Sequence, residues 1–453
     1  MISFRAVLIG ALALSFASVS AANAQSLTQA LAAAYNHNPD LAAAFLDIKS
    51  AAEDIALANA GKRPTIGATI DGTYDWSVAG GAFTDRSSLT AGVRYSHTLF
   101  DNFKTEAQVE QARALADLSE HSANNTEQNI LLAVATAYMD VIRDSQLVSL
   151  RQENISFAQA QLQSARDRLE VGEGTRIDVA QAEARLAQGV ASHRAAVSSL
   201  ETSRATFQRY VGVPPQNLSA SHSYSKLVPS SLDQAIATAE VEHPAILSAK
   251  AAIRAAQAAS DAAQAAFGPS LSMSGTVGTG IVQGGPTPGS QGISGQVGLT
   301  LSIPIYAGGA MGAGVRKANI GQIASEVSAM STYDQVREAV ISSWSGMQNA
   351  SAQIQSAQAA VAAGEQVLQG VIQERDLGAS TTLDVLDAQA ELTTAREALI
   401  SATTSQVVAT FSLLAAMGKL TAAELGLPVE VRSADNYTAT VEDTWQELRT
   451  VAD

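Results

Sequence analysis

Four stretches of the chain alternate between apolar and polar residues, and each is long enough for an extended β-strand. In the first stretch, Ile66, Ile70 and Trp76 fall on one face and threonines and aspartates on the other. Alternation of period two over more than about ten residues is typical of a strand with one face on lipid and one on water. The predicted strands cover about 64–78, 87–101, 268–282 and 291–306, joined by hairpin tips at Ala79–Ser87 and Gln283–Gln291.

A soluble sheet with one wet face is the alternative explanation of this alternation. The polar face is made mainly of small, uncharged residues, which favours strands that line a water-filled pore in a membrane.

The rest of the chain has helical periodicity. Neither proline nor glycine occurs between Phe103 and Leu169, and this stretch would extend roughly 100 Å as an α-helix. From Val385 onward, large and small residues alternate at heptad positions, as in a close coiled coil. The predicted helices cover about 27–62, 103–170, 176–211, 231–266, 311–377 and 382–417, with Pro39 and Pro244 breaking the first and the fourth.

The chain contains an internal duplication. Ser26-Leu27-Thr28-Gln29-Ala30 recurs as Ser231-Leu232-Asp233-Gln234-Ala235, and Gly172 and Asp178 recur in the same register as Gly378 and Asp384. Several landmarks in one register predict two structural repeats, at 25–230 and 231–427, followed by a tail at 428–453.

The N-terminus has the pattern of a secretory signal peptide. A short basic start precedes the apolar stretch Ala6–Ala17, and Ala22-Asn23-Ala24 supplies the small residues of a cleavage site. We therefore expect residues 1–24 to be a signal peptide. After it we expect no membrane helix, so that a membrane-spanning part would have to be a β-barrel.

Composition narrows the class of protein. The 453-residue chain has a formal net charge of −15 and no cysteine, and 46% of its residues are hydrophobic but only 5% aromatic. The acidity argues against binding to nucleic acid, and the absence of cysteine excludes disulfides and thiolate metal sites. An alanine-rich, aromatic-poor chain suits closely packed helices better than one large core.

Four strands are too few to close a transmembrane barrel. The smallest such barrels have about eight strands, and lipid does not tolerate an open sheet edge. Several copies of the chain must therefore pool their strands. Two copies would give a barrel filled by side chains and three would leave an open lumen, and counting alone does not choose between them.

The sequence contains no recognisable catalytic pattern. Gly172-x-Gly174 lacks a preceding strand and a phosphate-loop lysine, and the six histidines are not at metal-binding spacing. No nucleophile elbow is present. We therefore expect no enzyme activity, no cofactor and no metal.

The duplicated strand–strand–helix–helix order resembles the TolC-type outer-membrane factor family over nearly the whole mature chain. The motifs that carry the resemblance are the strand-to-helix junctions and the helix-hairpin turns: Leu99–Asn102, Pro304–Gly309, Val171–Val179 and Leu377–Ala388.

The resemblance implies an α+β membrane protein that forms a homotrimer. Each repeat would give two transmembrane strands to a shared twelve-stranded barrel and long antiparallel coiled-coil helices to a periplasmic α-barrel tunnel. The chain would be the outer-membrane exit duct of a tripartite efflux pump or a type I secretion system. Its partners would be outer-membrane lipid, a periplasmic adaptor and an inner-membrane pump or ABC exporter. The tail would lie near the equatorial region and be partly disordered.

The main alternative is a periplasmic or surface coiled-coil scaffold without transport activity. Such a scaffold has no need for membrane-length amphipathic strands.

The resemblance also implies a gate at the periplasmic helix tips. Asp384 and Asp387 match acidic residues that narrow the family's pore, where like charges raise each other's pKa and attract cations. Asp178 is the first-repeat counterpart of Asp384, and Arg375, Arg176 and Arg168 are candidate cations for it. Arg375 and Ser380 stand where the family has a Tyr and an Arg, so the gate contacts stay open. The alternative is that the aspartates offset the dipoles of their helices.

The hairpin turns are the candidate adaptor contacts. Simple helix termination by glycine explains the same residues. The residues concerned are Gly172, Glu173, Gly174, Thr175, Gly378, Ala379, Ser380 and Thr381.

Overall fold

The computed structural model describes residues 25–219, 224–284, 289–442 and 444–445, so the predicted signal peptide lies outside the described residues. The helices and strands, in chain order, are α1 (Leu27–His37), α2 (Pro39–Ala60), β1 (Thr65–Ala79), β2 (Ala82–Phe100), α3 (Lys104–Glu170), α4 (Arg176–Val211), α5 (Leu232–Glu242), α6 (Pro244–Ala265), β3 (Ser270–Gly284), β4 (Ser290–Ser302), α7 (Ala310–Asp376), α8 (Thr382–Ala416) and α9 (Asp435–Val441).

The same sequence of elements occurs twice, as two short helices, two strands and two long helices. The break between the short helices has a local cause in each repeat. Asn38 Oδ1 accepts hydrogen bonds from the N–H groups of Asp40 and Leu41 at 2.9 and 3.2 Å, and Pro39 begins the next helix. His243 Nδ1 accepts from Ala245 N at 3.1 Å before the helix that begins at Pro244. Each break is thus an N-cap followed by the proline that suits a first helical position.

The four strands form one antiparallel sheet in the order β1-β2-β3-β4, so β1 and β4 are its edges. The first hairpin tip is much tighter than the predicted loop Ala79–Ser87, because β2 begins at Ala82 and pairs back to Ala79. Gly80 and Gly81 have φ angles of +60° and +84°, as a two-residue turn of the primed type requires.

The end of β4 also corrects the predicted bounds. The strand ends at Ser302 rather than near 306. Pro304 has no N–H with which to continue the ladder.

The long helices form two antiparallel pairs, α3 with α4 and α7 with α8, and α3 lies at the centre of the chain's packing. Its side chains Leu131, Val134 and Tyr138 are almost fully buried in the main core. The counterpart helix α7 lies at the edge and leaves an apolar stripe exposed. The α7 stripe consists of Ile320, Ile323, Val327 and Met330, with exposed fractions of 66, 58, 60 and 67%.

One helix among the described residues, α8, is long and apolar enough to cross a membrane by length and composition. We expected no membrane helix after the N-terminus, and α8 lies within the predicted coiled-coil helix 382–417. Its apolar side chains pack on the neighbouring long helices, with Val385, Leu392 and Phe411 buried. The apolar character of α8 is thus that of a core helix in a bundle.

The C-terminal tail folds back onto the first repeat. Helix α9 lies against α2, where Tyr437 and Glu53 share a hydrogen bond of 2.7 Å. Glu442 pairs with Arg113 of α3. The last residues of the predicted tail 428–453 lie outside the described ranges.

A buried carboxylate joins the middle of α3 to the segment after α8. Glu127 is 6% exposed, and its Oε1 accepts a hydrogen bond from Ala422 N at 2.6 Å. Burial raises the pKa of Glu127, and the hydrogen bond from Ala422 lowers it by less. The folded chain therefore holds a proton on this carboxyl up to a higher pH than the unfolded chain does.

Replacing Glu127 with Gln is expected to increase stability at neutral and alkaline pH. An acid whose folded-state pKa is raised stabilises the fold below its unfolded-state pKa, and this contribution is lost as pH rises through the folded-state value. The wild type should therefore lose stability relative to E127Q as the pH rises above the ordinary pKa of a glutamate. Thermal unfolding followed by the helical circular dichroism signal measures this difference.

Two further variants control the experiment. Glu127→Ala removes the acceptor of the Ala422 N–H. It should lower the free energy of unfolding by about 1–3 kcal/mol across the whole pH profile. Glu391→Gln removes a carboxylate from an exposed position and should follow the wild-type profile. Parallel pH profiles of E127Q and the wild type would contradict the assignment.

Candidate functional site

The two helix-hairpin turns have the same backbone construction. Gly172 and Gly378, which follow α3 and α7, both have a φ angle of +81°. The chain then closes back on the helix end. Gly174 N donates to Arg168 O at 3.0 Å, and Ala379 N donates to Glu374 O at 2.8 Å. Glycine in the left-handed conformation ends both helices, so the helix-termination role weighed from sequence is present in both turns.

Each turn leads into a helix that begins with a reciprocal capping box. Thr175 Oγ1 accepts from Asp178 N at 3.2 Å, and Asp178 Oδ2 accepts from Thr175 N at 2.9 Å. Thr381 and Asp384 repeat this arrangement at 3.3 and 2.8 Å. Asp178 and Asp384 therefore hold the first turns of α4 and α8 in place.

These hydrogen bonds set the charge state of the second-repeat aspartate. The pKa of Asp384 is lowered, first by the hydrogen bond from the Thr381 backbone and then by the one from its hydroxyl. Asp384 is exposed and stays ionised at neutral pH. Within one chain this direction is opposite to the rise that crowding of carboxylates alone would cause.

The other candidate gate residues lie in different surroundings. Asp387 is exposed and pairs with Arg185 of α4. Arg375 is only 9% exposed, and its guanidinium contacts Gln161 of α3 and pairs with Asp376 at 2.7 Å.

The structure does not bring Arg375 to Asp178 within the chain. The Asp178 carboxylate is held by Thr175 instead. Arg176 is exposed at the start of α4.

Polar links between the two helix hairpins were not found from sequence. Besides Arg375 with Gln161 and Arg185 with Asp387, Arg151 Nε of α3 lies 2.6 Å from Glu397 Oε1 of α8. The only local signal was that Arg185 lies two helical turns after Asp178. Its partner is 202 residues away in the chain, and no periodicity identifies it.

The tips also expose apolar side chains. Val171, Ile177 and Leu377 have exposed fractions of 71, 68 and 86%. With the candidate tip residues, which form the turns between the paired helices, they give each tip a small apolar surface next to backbone held by glycine. Such a surface fits a protein partner better than solvent.

The backbones of β2 and β3 come close together at two paired glycines on the polar face. A Cβ atom added to Gly92 would lie 3.2 Å from Val277 O, and one added to Gly278 would lie 3.1 Å from Ala91 O. On the same face, Thr73 and Ser88 share a hydroxyl hydrogen bond of 2.6 Å across β1 and β2. Glycine thus permits a close approach of two strands on the hydroxyl-lined face.

Within the described ranges, no group of three or more His, Asp or Glu side chains is arranged so that it could hold a metal ion.

Comparisons with known proteins agree with this architecture. The family model described as "Outer membrane efflux protein" matches residues 16–213 and 235–419. The outer membrane efflux protein BepC of Brucella suis biovar 1 (strain 1330) is 36% identical over 433 residues, covering 95% of this chain and 93% of that protein. The outer membrane protein TolC of Escherichia coli (strain K12) is 24% identical over 433 residues, covering 92% of this chain and 87% of TolC.

A solved structure shares the fold at lower sequence identity. The Campylobacter jejuni CmeC outer membrane channel superposes with a TM-score of 0.78 at 16% identity, covering 92% of this chain and 89% of CmeC. The resemblance to TolC-type outer-membrane factors is therefore confirmed, and the chain belongs to the outer membrane efflux protein family, with its place in the outer membrane.

Proposed function

We propose that three copies of this chain form the exit duct of a tripartite efflux pump or a type I secretion system. The observation that carries the proposal is the open sheet. Its edges β1 and β4 have no neighbouring strand among the described residues, and Ile66, Ile70 and Leu299 on its apolar face are mostly exposed. Three such sheets joined edge to edge give twelve strands, which leave a lumen rather than a filled barrel.

The α7 stripe supports the same assembly. Four large apolar side chains at helical spacing would stay in water in a single copy. Packing against a neighbouring copy removes them from water and closes the helices into a tunnel that extends into the periplasm.

The helix tips form the gate in this proposal. Asp384 is ionised and exposed, and Asp387 lies one turn further along α8. Six carboxylates from three copies would line the narrow end and favour cations. The duct itself is passive, and an inner-membrane pump or ABC exporter selects its cargo.

Links between the hairpins hold the gate closed. Arg185 ties Asp387 on α8 to α4, and Arg375 ties the end of α7 to Gln161 on α3. Asp178 maintains the start of α4 beside them and remains a candidate for contacts between copies, as does Arg176.

The periplasmic adaptor docks at the tips. Its contacts are the two turns and the exposed apolar side chains Val171, Ile177 and Leu377. Docking at both tips of each copy would pull on the same helix ends that the links hold together.

Replacing Val327 with Asp is expected to prevent trimer formation, because it puts a charge in the centre of the α7 stripe. Val327 is 60% exposed in the single chain, so the fold of one copy should survive. Heat-modifiable migration of the trimer from outer-membrane fractions measures the effect. Ser328→Asp, on the neighbouring exposed position, is the matched control; equal loss of trimer in both variants would contradict the proposed interface.

Replacing Asp384 and Asp387 together with Ala is expected to reduce cation selectivity and increase single-channel conductance in planar bilayers. The double change removes six carboxylates from the narrow end of a trimer. Asp261→Ala, at an exposed position on α6, should leave both quantities unchanged. If the double variant kept the wild-type selectivity and conductance, the constriction would have to lie elsewhere.

Removing the hairpin links with Arg185→Gln and Arg375→Gln is expected to let large antibiotics enter the cell. Neutral glutamine cannot keep the Asp387 ion pair, and without it the tips are free to separate. Susceptibility to an antibiotic too large for general porins measures the leak. If Asp178→Ala opens the duct and the arginine variants do not, the lock lies between copies instead.

A further inference from the structure

All charged side chains on the polar face of the sheet belong to the first hairpin. They are Asp71 and Asp75 on β1 and Arg86 and Arg94 on β2. Across Ser270–Gly284 and Ser290–Ser302 that face carries only serine, threonine, glycine, glutamine and Val282. The two hairpins therefore differ in electrostatics although they share one fold.

Arg94 is separated from the other three charges. Asp75 pairs directly with Arg86 in the strand register, and Asp71 pairs with Thr90. Thr90 lies four residues from Arg94, which is about 13 Å along a strand. This distance exceeds the screening length of about 8 Å at physiological salt.

The neighbours of Arg94 leave its guanidinium uncovered. Gly67 is its partner on β1 and Thr276 its partner on β3, and Gly92 precedes it on the same face. Arg94 is exposed, and no ion pair of this side chain occurs within the described ranges. Arg94 lies on the hydroxyl-lined face, next to the close approach of β2 and β3 at Gly92 and Gly278.

We propose that Arg94 makes the membrane section of the duct attract anions, and that it favours passage of cargo bearing a carboxylate, sulfonate or phosphate group. The inference rests on the proposed function, because it needs three copies around one lumen. Threefold symmetry places three Arg94 guanidinium groups at a single level with no carboxylate in their register row. Guanidinium pairs with such oxyanions through two parallel hydrogen bonds.

The duct then has charged levels of alternating sign in series. Aspartates at the helix tips favour cations at the entrance, Arg94 favours anions where the sheet begins, and Asp71 lies closer to the hairpin tip. A molecule carrying both charges meets an attractive group at each level, whereas a simple cation meets a barrier at the second.

The experiment measures reversal potentials of the purified full-length protein in planar bilayers under a KCl gradient. The Asp384→Ala, Asp387→Ala background is used so that the tips do not mask the barrel. Arg94→Gln is expected to raise the K⁺ to Cl⁻ permeability ratio at least about twofold in 0.1 M salt, where the screening length is about 10 Å. Arg94→Lys keeps the charge and should stay near the value of the background.

The outcomes separate the two proposals. Channels that conduct as trimers with the same permeability ratio for Arg94→Gln as for the background overturn the role of Arg94 and leave the proposed function standing. An equal shift for Arg94→Lys also overturns it, because charge would not be the cause. A protein that forms trimers but no conducting channel overturns the proposed function, and the role of Arg94 with it.

Discussion

Backbone hydrogen bonding at the sheet edges is the constraint on which the rest of the molecule depends. Along the outer edges of β1 and β4, alternate residues carry N–H and C=O groups that no strand among the described residues pairs with. Water satisfies such groups, but the hydrocarbon core of a membrane does not. Burying one unpaired group there costs on the order of several kcal/mol. The sheet is therefore a fragment of a closed surface, and the proposed trimer supplies what is missing.

In the helical part, exposed apolar side chains impose a similar need for neighbouring copies. Helix α3 is surrounded by neighbours of its own chain and buries large residues such as Leu131 and Tyr138. Its duplicate α7 has the same 67 residues of length but an exposed apolar stripe. Two copies of one structural unit thus acquired different environments, because one lies inside the protomer and the other at its surface.

Local signals in the sequence predicted most of the architecture. Pro39 and Pro244, glycine at 172 and 378, and alternation along four stretches act on residues a few positions away, so they indicate where elements begin and end. The length of the turn at Gly80-Gly81 was overestimated, because a Gly-Gly pair marks a two-residue turn and a longer loop equally well. The α8 helix was predicted from its heptad pattern, although its composition is also that of a membrane helix.

The candidate site was less predictable than the fold. The capping role of Asp178 and Asp384 was visible in the spacing of Thr175 and Thr381. The partners of Arg375 and Arg185 were not, since they lie more than 200 residues away on another hairpin. Family resemblance located the tips and gave no pairing for the residues in which this chain departs from the family.

The return of the chain after α8 has a consequence for biosynthesis. The carboxylate of Glu127, in the first repeat, receives its hydrogen bond from Ala422, and α9 packs against α2 of the same repeat. A nascent chain that stops before Ala422 contains the whole first repeat, but its Glu127 carboxylate lacks the hydrogen bond that Ala422 N donates. The core of the first repeat is therefore completed only after the C-terminal segment has been synthesised. Truncated chains lack this completed core when they would enter the assembly.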